Sequence, residues 1–212
     1  MRAPANGLHR FSNRCWLDDS LNTGRFRLAP ASGYLAIEND LARQDNERER
    51  ELIYSRSSSR VHNISVGQEI PLLSDITHTT SIATDYYVLC FSLKNNDYLY
   101  DEFQGSDSIL SITNFSEFES RFYRSADSVL PGWIVWGGAV TYGRPSPDGA
   151  FFQKPLRHFP QCEWRCVIIP PVATEELQPI FLDLGSLSAV AHISARTRPE
   201  TSDPKHQEPN KS

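Results

Sequence analysis

Residues 85–93 read DYYVLCFSL, and the turn-forming tetrapeptide KNND follows at 94–97. An apolar run of this length, closed by turn residues, is the strongest strand in the chain, and Ser92 sits where the backbone leaves the sheet. Toward the N-terminus, shorter strand-like pieces lie at 76–83, 69–73 and 61–66, and the β-branched, half-polar run from Thr77 to Thr80 suits a sheet with one wet face. A serine-rich break at 57–60 separates them from residues 41–55 (LARQDNERERELIYS), where the pattern predicts a helix capped by Asn39-Asp40 with its charged middle facing solvent. Residues 8–12 (LHRFS) and 25–29 (RFRLA) read as short strands on either side of a helix at 14–23, which Gly24 stops, and residues 30–33 read as a turn.

Toward the C-terminus, a short helical turn is expected at 98–104 and a strand at 108–113. Asn114 then caps a helix whose buried face is Phe115, Phe118 and Phe122. Residues 132–142 read as a strand pair or bent strand, with Gly137-Gly138 as a bulge or turn, and a Pro/Gly-rich loop follows at 143–150. Residues 161–169 (QCEWRCVII) form a strand stopped by Pro170-Pro171, and 180–184 and 187–193 are the last ordered pieces. About nine short strands interleaved with about three helices predict an α+β fold with a mixed, largely antiparallel sheet, not regular βαβ winding.

The 212 residues are 39% hydrophobic and 22% charged, enough apolar material for a real core. Residues 1–195 are expected to form one α+β domain, and 196–212, which lack apolar side chains, a disordered tail. A net charge of −5 gives no strong nucleic-acid signal, because sequence-independent binding needs a basic surface. No apolar leader opens the chain and no run is long enough to span a membrane, so the expectation is a cytoplasmic protein. The four cysteines form no C-x-x-C pair; Cys90, Cys162 and Cys166 lie in strand-like apolar runs, as buried thiols do. The sequence also lacks G-x-G-x-x-G, P-loop, G-x-S-x-G and H-x-x-x-H patterns, and His62, His78 and His158 are too scattered to suggest a metal.

Four segments carry candidate chemistry. Strand alternation over 161–169 puts Cys162, Trp164 and Cys166 on one face and Gln161, Glu163 and Arg165 on the other. A charged pair on an otherwise apolar strand either borders solvent or lines a cleft. In LHRFS, Arg10 has a planar fork suited to phosphate or carboxylate, and His9 suits a ribose hydroxyl or proton transfer, unless one is exposed and the other caps a turn. Ser92 is a binding hydroxyl or a turn-forming serine. Arg43, Glu47 and Arg50 share one face of the expected helix, as an anionic-ligand clamp or a solvated ion-paired surface. Trp133 and Trp136, at odd spacing, fall on opposite strand faces.

An N-terminal strand with Arg10, a central strand ending in Ser92 and a late strand with Gln161-x-Glu163 resemble the R-S-E arrangement of ADP-ribosyltransferases. The central motif of that family is usually Ser-Thr-Ser-like, whereas this chain has Cys-Phe-Ser. The resemblance implies NAD as the substrate, with Arg10 on its pyrophosphate, Ser92 shaping the nicotinamide pocket and Glu163 on the nicotinamide ribose. A second resemblance covers residues 8 to about 193, through L-x-R-F, P-A-S-x-Y, Y-Y-V-L-C-F-S, D-S-I-L-S-I-T, V-T-Y-G and a Lys followed by Q-x-E-W-R. It is similar to a bacterial family of domains of unknown function, some of them described as abortive-infection proteins, and implies a toxin-like or phage-defence role. Two functions therefore stand side by side: an NAD-consuming ADP-ribosyltransferase-like effector, and a non-enzymatic sensing or protein-interaction module. In either, a protein partner or antitoxin is an open expectation.

Overall fold

The computed structural model describes Pro4, residues 7–36 and residues 46–196. The N-terminal half contains β1 (Leu8–Ser12), α1 (Arg14–Thr23), β2 (Arg25–Pro30), β3 (Glu49–Tyr54), β4 (Val61–Asn63), β5 (Gln68–Ile70), β6 (Ile76–Ser81) and β7 (Tyr87–Ser92). It continues with α2 (Tyr98–Glu102), β8 (Ser108–Ile112), α3 (Phe115–Val129), β9 (Ile134–Ala139), β10 (Thr141–Tyr142), β11 (Gln153–Lys154), β12 (Glu163–Ile169), β13 (Ile180–Asp183) and β14 (Ala191–Ala195). The fold is α+β, built on an eight-stranded sheet whose pairings are all antiparallel. No helix among the described residues is long and apolar enough to cross a membrane.

The run at 85–93 does become the central strand. One edge of β7 pairs with β12 along its whole length, and β9 pairs beyond β12. The opposite edge is shared: β2 pairs at Tyr87 and Val88, and β1 pairs only at Ser92. From there β1 continues to β8 and β14, while β2 continues to β13, so the sheet forks along β7.

Alternation along β7 and β12 decides what lies on each face. Leu89, Phe91, Trp164 and Cys166 join the main core, against Leu17 of α1 and Phe115, Phe118 and Phe122 of α3. The ring of Phe118 meets Phe91 edge-on at 5.5 Å. Both helices begin and end as their residues dictate. The Asn13 and Asn114 side chains accept N–H bonds from Cys15 and Glu117, and Gly24 closes α1 at φ 72°. A β-carbon at Gly24 would lie 2.2 Å from the Gly185 carbonyl oxygen, so that close approach also requires glycine. The face away from α1 and α3 carries two smaller clusters, one around Tyr86, Val88, Phe152 and Val167, the other formed by Phe11 and Ile109 with Leu99 and Tyr100 of α2. Trp133 stacks on Tyr87 beside the main core, and Trp136 lies tilted at 59° against Phe152 on the opposite face, as their spacing predicts.

Several expectations are corrected. The helix over 41–55 does not form across 49–54: Glu49–Tyr54 is strand β3, paired antiparallel with β6 from Glu49↔Ser81 to Tyr54↔Ile76. Its first part, with the Asn39-Asp40 cap and Arg43, lies outside the described residues. The charged middle does not face solvent either, since Glu47 and Arg50 are each 1% exposed. Helix propensity is a weak prior, and cross-strand pairing with the β-branched Thr77–Thr80 run overrides it. The β3–β6 ladder, continued in the chain by the β4–β5 hairpin, forms a two-stranded arm outside the eight-stranded sheet; on β3, Arg50 and Leu52 are buried while Glu49, Glu51 and Ile53 are exposed. Gly137-Gly138 is no turn; both pair within β9, and Gly138 leaves room for the Phe152 ring, 3.3 Å from where a β-carbon would stand. Residues 180–184 and 187–193, read as the last ordered pieces, hold β13 and the first part of β14. Arg196, expected to open the tail, is tied to Asp101 at 2.7 Å, and 197–212 lie outside the described residues.

Candidate functional site

A cavity of about 190 Å³ opens between the two small clusters, on the face turned away from α1 and α3. Its wall includes His9, Arg10, Ser92, Gln161 and Glu163, the five residues singled out by sequence. Register explains the meeting. Glu163 on β12 lies directly across from Ser92 on β7, and Ser92 lies across from His9 on β1. One row across three neighbouring strands thus carries a carboxylate, a hydroxyl and an imidazole.

Glu163 is 4% exposed and its carboxylate is held from two sides. Oε1 accepts from Arg165 Nε, and Oε2 lies 2.8 Å from Lys154 Nζ. Burial works against ionisation here, but the Arg165 guanidinium and the Lys154 ammonium overcome it and hold the carboxyl well below the usual carboxylate range. The neighbouring Glu47 forms a bidentate pair with Arg165, at 2.7 and 2.9 Å, and also bonds Arg50. Burial again opposes ionisation, and Arg165, Arg50 and Lys154 lower the Glu47 carboxyl to about 2. The strand face carrying Glu163 and Arg165 therefore does not border solvent. It faces a dry ionic cluster in which each charge has an opposite partner, as buried charges require.

The other walls have equally local causes. Arg10 Nη1 donates to the Cys90 carbonyl at 3.0 Å. That carbonyl lies on the stretch of β7 between the β2 and β1 pairings, so the guanidinium bridges the fork in the sheet. His9 Nδ1 lies 3.0 Å from Ser111 Oγ of β8. Ser92 Oγ donates to the Gln161 carbonyl at 2.8 Å and accepts the Lys94 N–H at 3.0 Å. The serine is thus a tie between turns as well as part of the wall. Gln161 is not in the strand: it ends a 3-10 turn over Leu156–Gln161, and Cys162 follows in the left-handed region at φ 43°. The face-sharing expected of Gln161 and Glu163 is therefore not strand alternation. Both converge instead on Lys154, whose Nζ donates to Gln161 Oε1 at 3.2 Å.

Tyr34 enters the cavity from the 3-10 turn Ala31–Ala36, which the buried Asp85 carboxylate anchors through the Ser32 N–H at 3.0 Å and hydroxyl at 2.7 Å. Burial, then the Glu163 carboxylate, pushes the Cys90 thiol well up, which favours the neutral thiol over the thiolate in this wall. Sequence reading did not place Lys154 or Tyr34 at the site, and it set Glu47 on an exposed helix or a clamp. The signal for Glu47 and Lys154 was the charge on Glu163 and Arg165 itself: a buried Glu-x-Arg needs further counter-ions from elsewhere in the chain.

The arrangement provides a fixed, ionised hydrogen-bond acceptor at the base of a small polar cavity, with cationic side chains beside it. Each carboxylate oxygen carries two lone pairs, so the contacts to Arg165, Lys154 and the Cys90 thiol still leave acceptor capacity for one ligand hydroxyl. Comparison with family models, with curated protein sequences and with solved structures finds no match to this chain.

Proposed function

We propose that the chain is an NAD-consuming, ADP-ribosyltransferase-like effector, with Glu163 as the catalytic carboxylate at the nicotinamide ribose. The observation that supports this reading is the row Glu163–Ser92–His9 across β12, β7 and β1, facing one cavity that Arg10 and Gln161 also line. In the reaction the C1′–N bond of the nicotinamide riboside breaks and its electron pair stays with the departing nicotinamide nitrogen. The positive charge passes to the sugar, and an acceptor or water adds at C1′ and loses a proton. A preorganised acceptor on the ribose hydroxyls favours that developing cation. Because Arg165 and Lys154 offset much of the Glu163 charge, its contribution is hydrogen bonding and orientation more than bare Coulomb attraction. Arg10 is the group for a phosphate at the rim, and Gln161 and Ser92 set the position of the wall. A toxin or phage-defence setting, with a protein partner or antitoxin, rests on the family resemblance.

The test is nicotinamide release from NAD by the purified chain. Glu163→Gln is expected to lower turnover by about 100-fold or more, the scale seen when one transition-state hydrogen-bonding group is removed. NAD should still raise the melting temperature of that variant, since binding to the folded state stabilises it. Undiminished turnover in a folded Glu163→Gln protein removes the proposal.

One observation favours the second reading, a non-enzymatic sensing or interaction module. The segment between β3 and β6 carries several exposed apolar side chains: Ile64 is 97% and Leu73 is 89% exposed, and Val66 and Ile70 are exposed as well. No melting shift with NAD, together with a stable complex with a protein partner, would favour that reading.

A further inference from the structure

Beside the Glu163 cavity runs an open groove of about 600 Å³, lined by His9, Leu93 and the turn Lys94–Asp97, and His9 belongs to both. We infer that cavity and groove form one two-part ligand site: the small polar end of the ligand is buried against Glu163, and a larger, phosphate-linked end lies across the turn at 94–97. The inference rests on the nucleotide reading above and assigns the second half of its substrate.

Size argues for division. Pockets that enclose a whole drug-sized ligand run to roughly 300–1,000 Å³. The cavity, at about 190 Å³, takes only the small end of such a ligand, and the rest must leave past the half-buried rim. His9 stands on that rim, and the groove begins there.

The groove is built onto the cavity wall and not merely near it. Leu93 N–H donates to the Cys162 carbonyl at 2.7 Å, just before Glu163. Lys94 N–H donates to Ser92 Oγ, which donates in turn to Gln161. The turn is closed by Asn96, whose carbonyl accepts the Leu99 N–H and whose Oδ1 accepts the Tyr98 N–H at 3.1 Å. A ligand spanning both parts would therefore meet surfaces fixed relative to one another, which lowers the ordering cost of binding.

The chemistry of the groove is that of a nucleotide's outer half. Lys94 is exposed and has no ion-pair partner among the described residues, which leaves its ammonium for a phosphate oxygen. The exposed Asn95 amide and Asp97 carboxylate offer a donor and acceptors to a base edge and sugar hydroxyls.

The test compares NAD with nicotinamide mononucleotide, which lacks the outer half, by calorimetry on the full chain. The variants are Asn95→Trp, which fills the groove, and Lys94→Glu, which reverses its charge; both positions are exposed and outside the catalytic wall. Asn95→Trp is expected to weaken NAD by about tenfold or more while mononucleotide affinity stays within about twofold. Lys94→Glu is expected to weaken NAD in the same selective way, with a loss that shrinks as salt is raised. If the wild-type chain binds NAD and neither variant changes it, or both ligands weaken alike, the two-part site is overturned and the NAD reading stands. If the wild-type chain binds neither ligand, the NAD reading fails and the two-part site fails with it.

Discussion

Glu47 joins three cations in the dry cluster: it pairs bidentately with Arg165, bonds Arg50 and lies 3.8 Å from Lys154. Removing one member of a buried ionic group leaves the others uncompensated, which typically costs about 3–5 kcal/mol. Glu47→Ala is expected to lower the unfolding free energy by that amount at neutral pH, read from the urea midpoint. The acid response has a definite sign. The folded state lowers the Glu47 carboxyl from 4.5 to about 2, so the stability it contributes is present above 4.5 and is lost as pH falls toward 2. Urea midpoints measured down this range should fall steeply in the wild-type chain and less steeply in Glu47→Gln, which has one carboxylate fewer to protonate. At this scale the sequence displayed residue types and little else. Glu163 and Arg165 were legible as a charged pair on an apolar strand, but their partners Glu47 and Lys154 come from distant segments, and no local pattern marks which distant charges will meet.

Among the elements, those with local signals were readable. The spacing of Phe115, Phe118 and Phe122 and the Asn114 cap identify α3, and the structure buries all three rings and bonds the Asn114 side chain to the Glu117 N–H at 3.1 Å. Asn114→Ala is accordingly expected to cost about 1 kcal/mol, measurable by thermal or chemical unfolding. Residues 49–54 show where such signals mislead. Glu49, Arg50, Glu51 and Leu52 are acceptable in a helix, and the charges suggest a wet face. What decides the outcome is the pairing of Arg50 with Thr80 and Leu52 with His78, and the buried contacts of Arg50 with Glu47. Those partners are invisible in a window of one helix length. The start of β12 was misplaced for a different reason: Cys162 at φ 43° adopts a conformation that non-glycine residues rarely take, and nothing in QCEWR announces it.

At the scale of the molecule, the α+β class follows from counting short strands, whereas the fork along β7 does not, because it depends on which of two strands claims each part of one edge. The arm formed by β3 to β6 is attached at neighbouring points, since Glu49 and Ser81 are cross-strand partners. Its root is fixed by Arg48, whose guanidinium donates to the carbonyls of Ile82, Ala83 and Glu175, and by the Tyr86 hydroxyl donating to the Glu47 carbonyl at 2.9 Å. Replacing residues 55–75 with a short Asn-Gly turn joins Tyr54 to Ile76 and leaves Glu47 and Arg50 seated. The melting temperature is expected to fall by no more than about 4 °C, roughly 1 kcal/mol for a chain of this size, with NAD affinity unchanged. Such a result would show that the tip is dispensable for the folded state and for the cavity, and that the root alone holds Glu47 and Arg50 in place. It follows from the shared point of attachment that the reach of the tip is an independently adjustable length. Adding or deleting matched residues on β3 and β6 would move Ile64 and Leu73 outward or inward by about 3.3 Å per residue pair while the Glu163 cavity stays where it is.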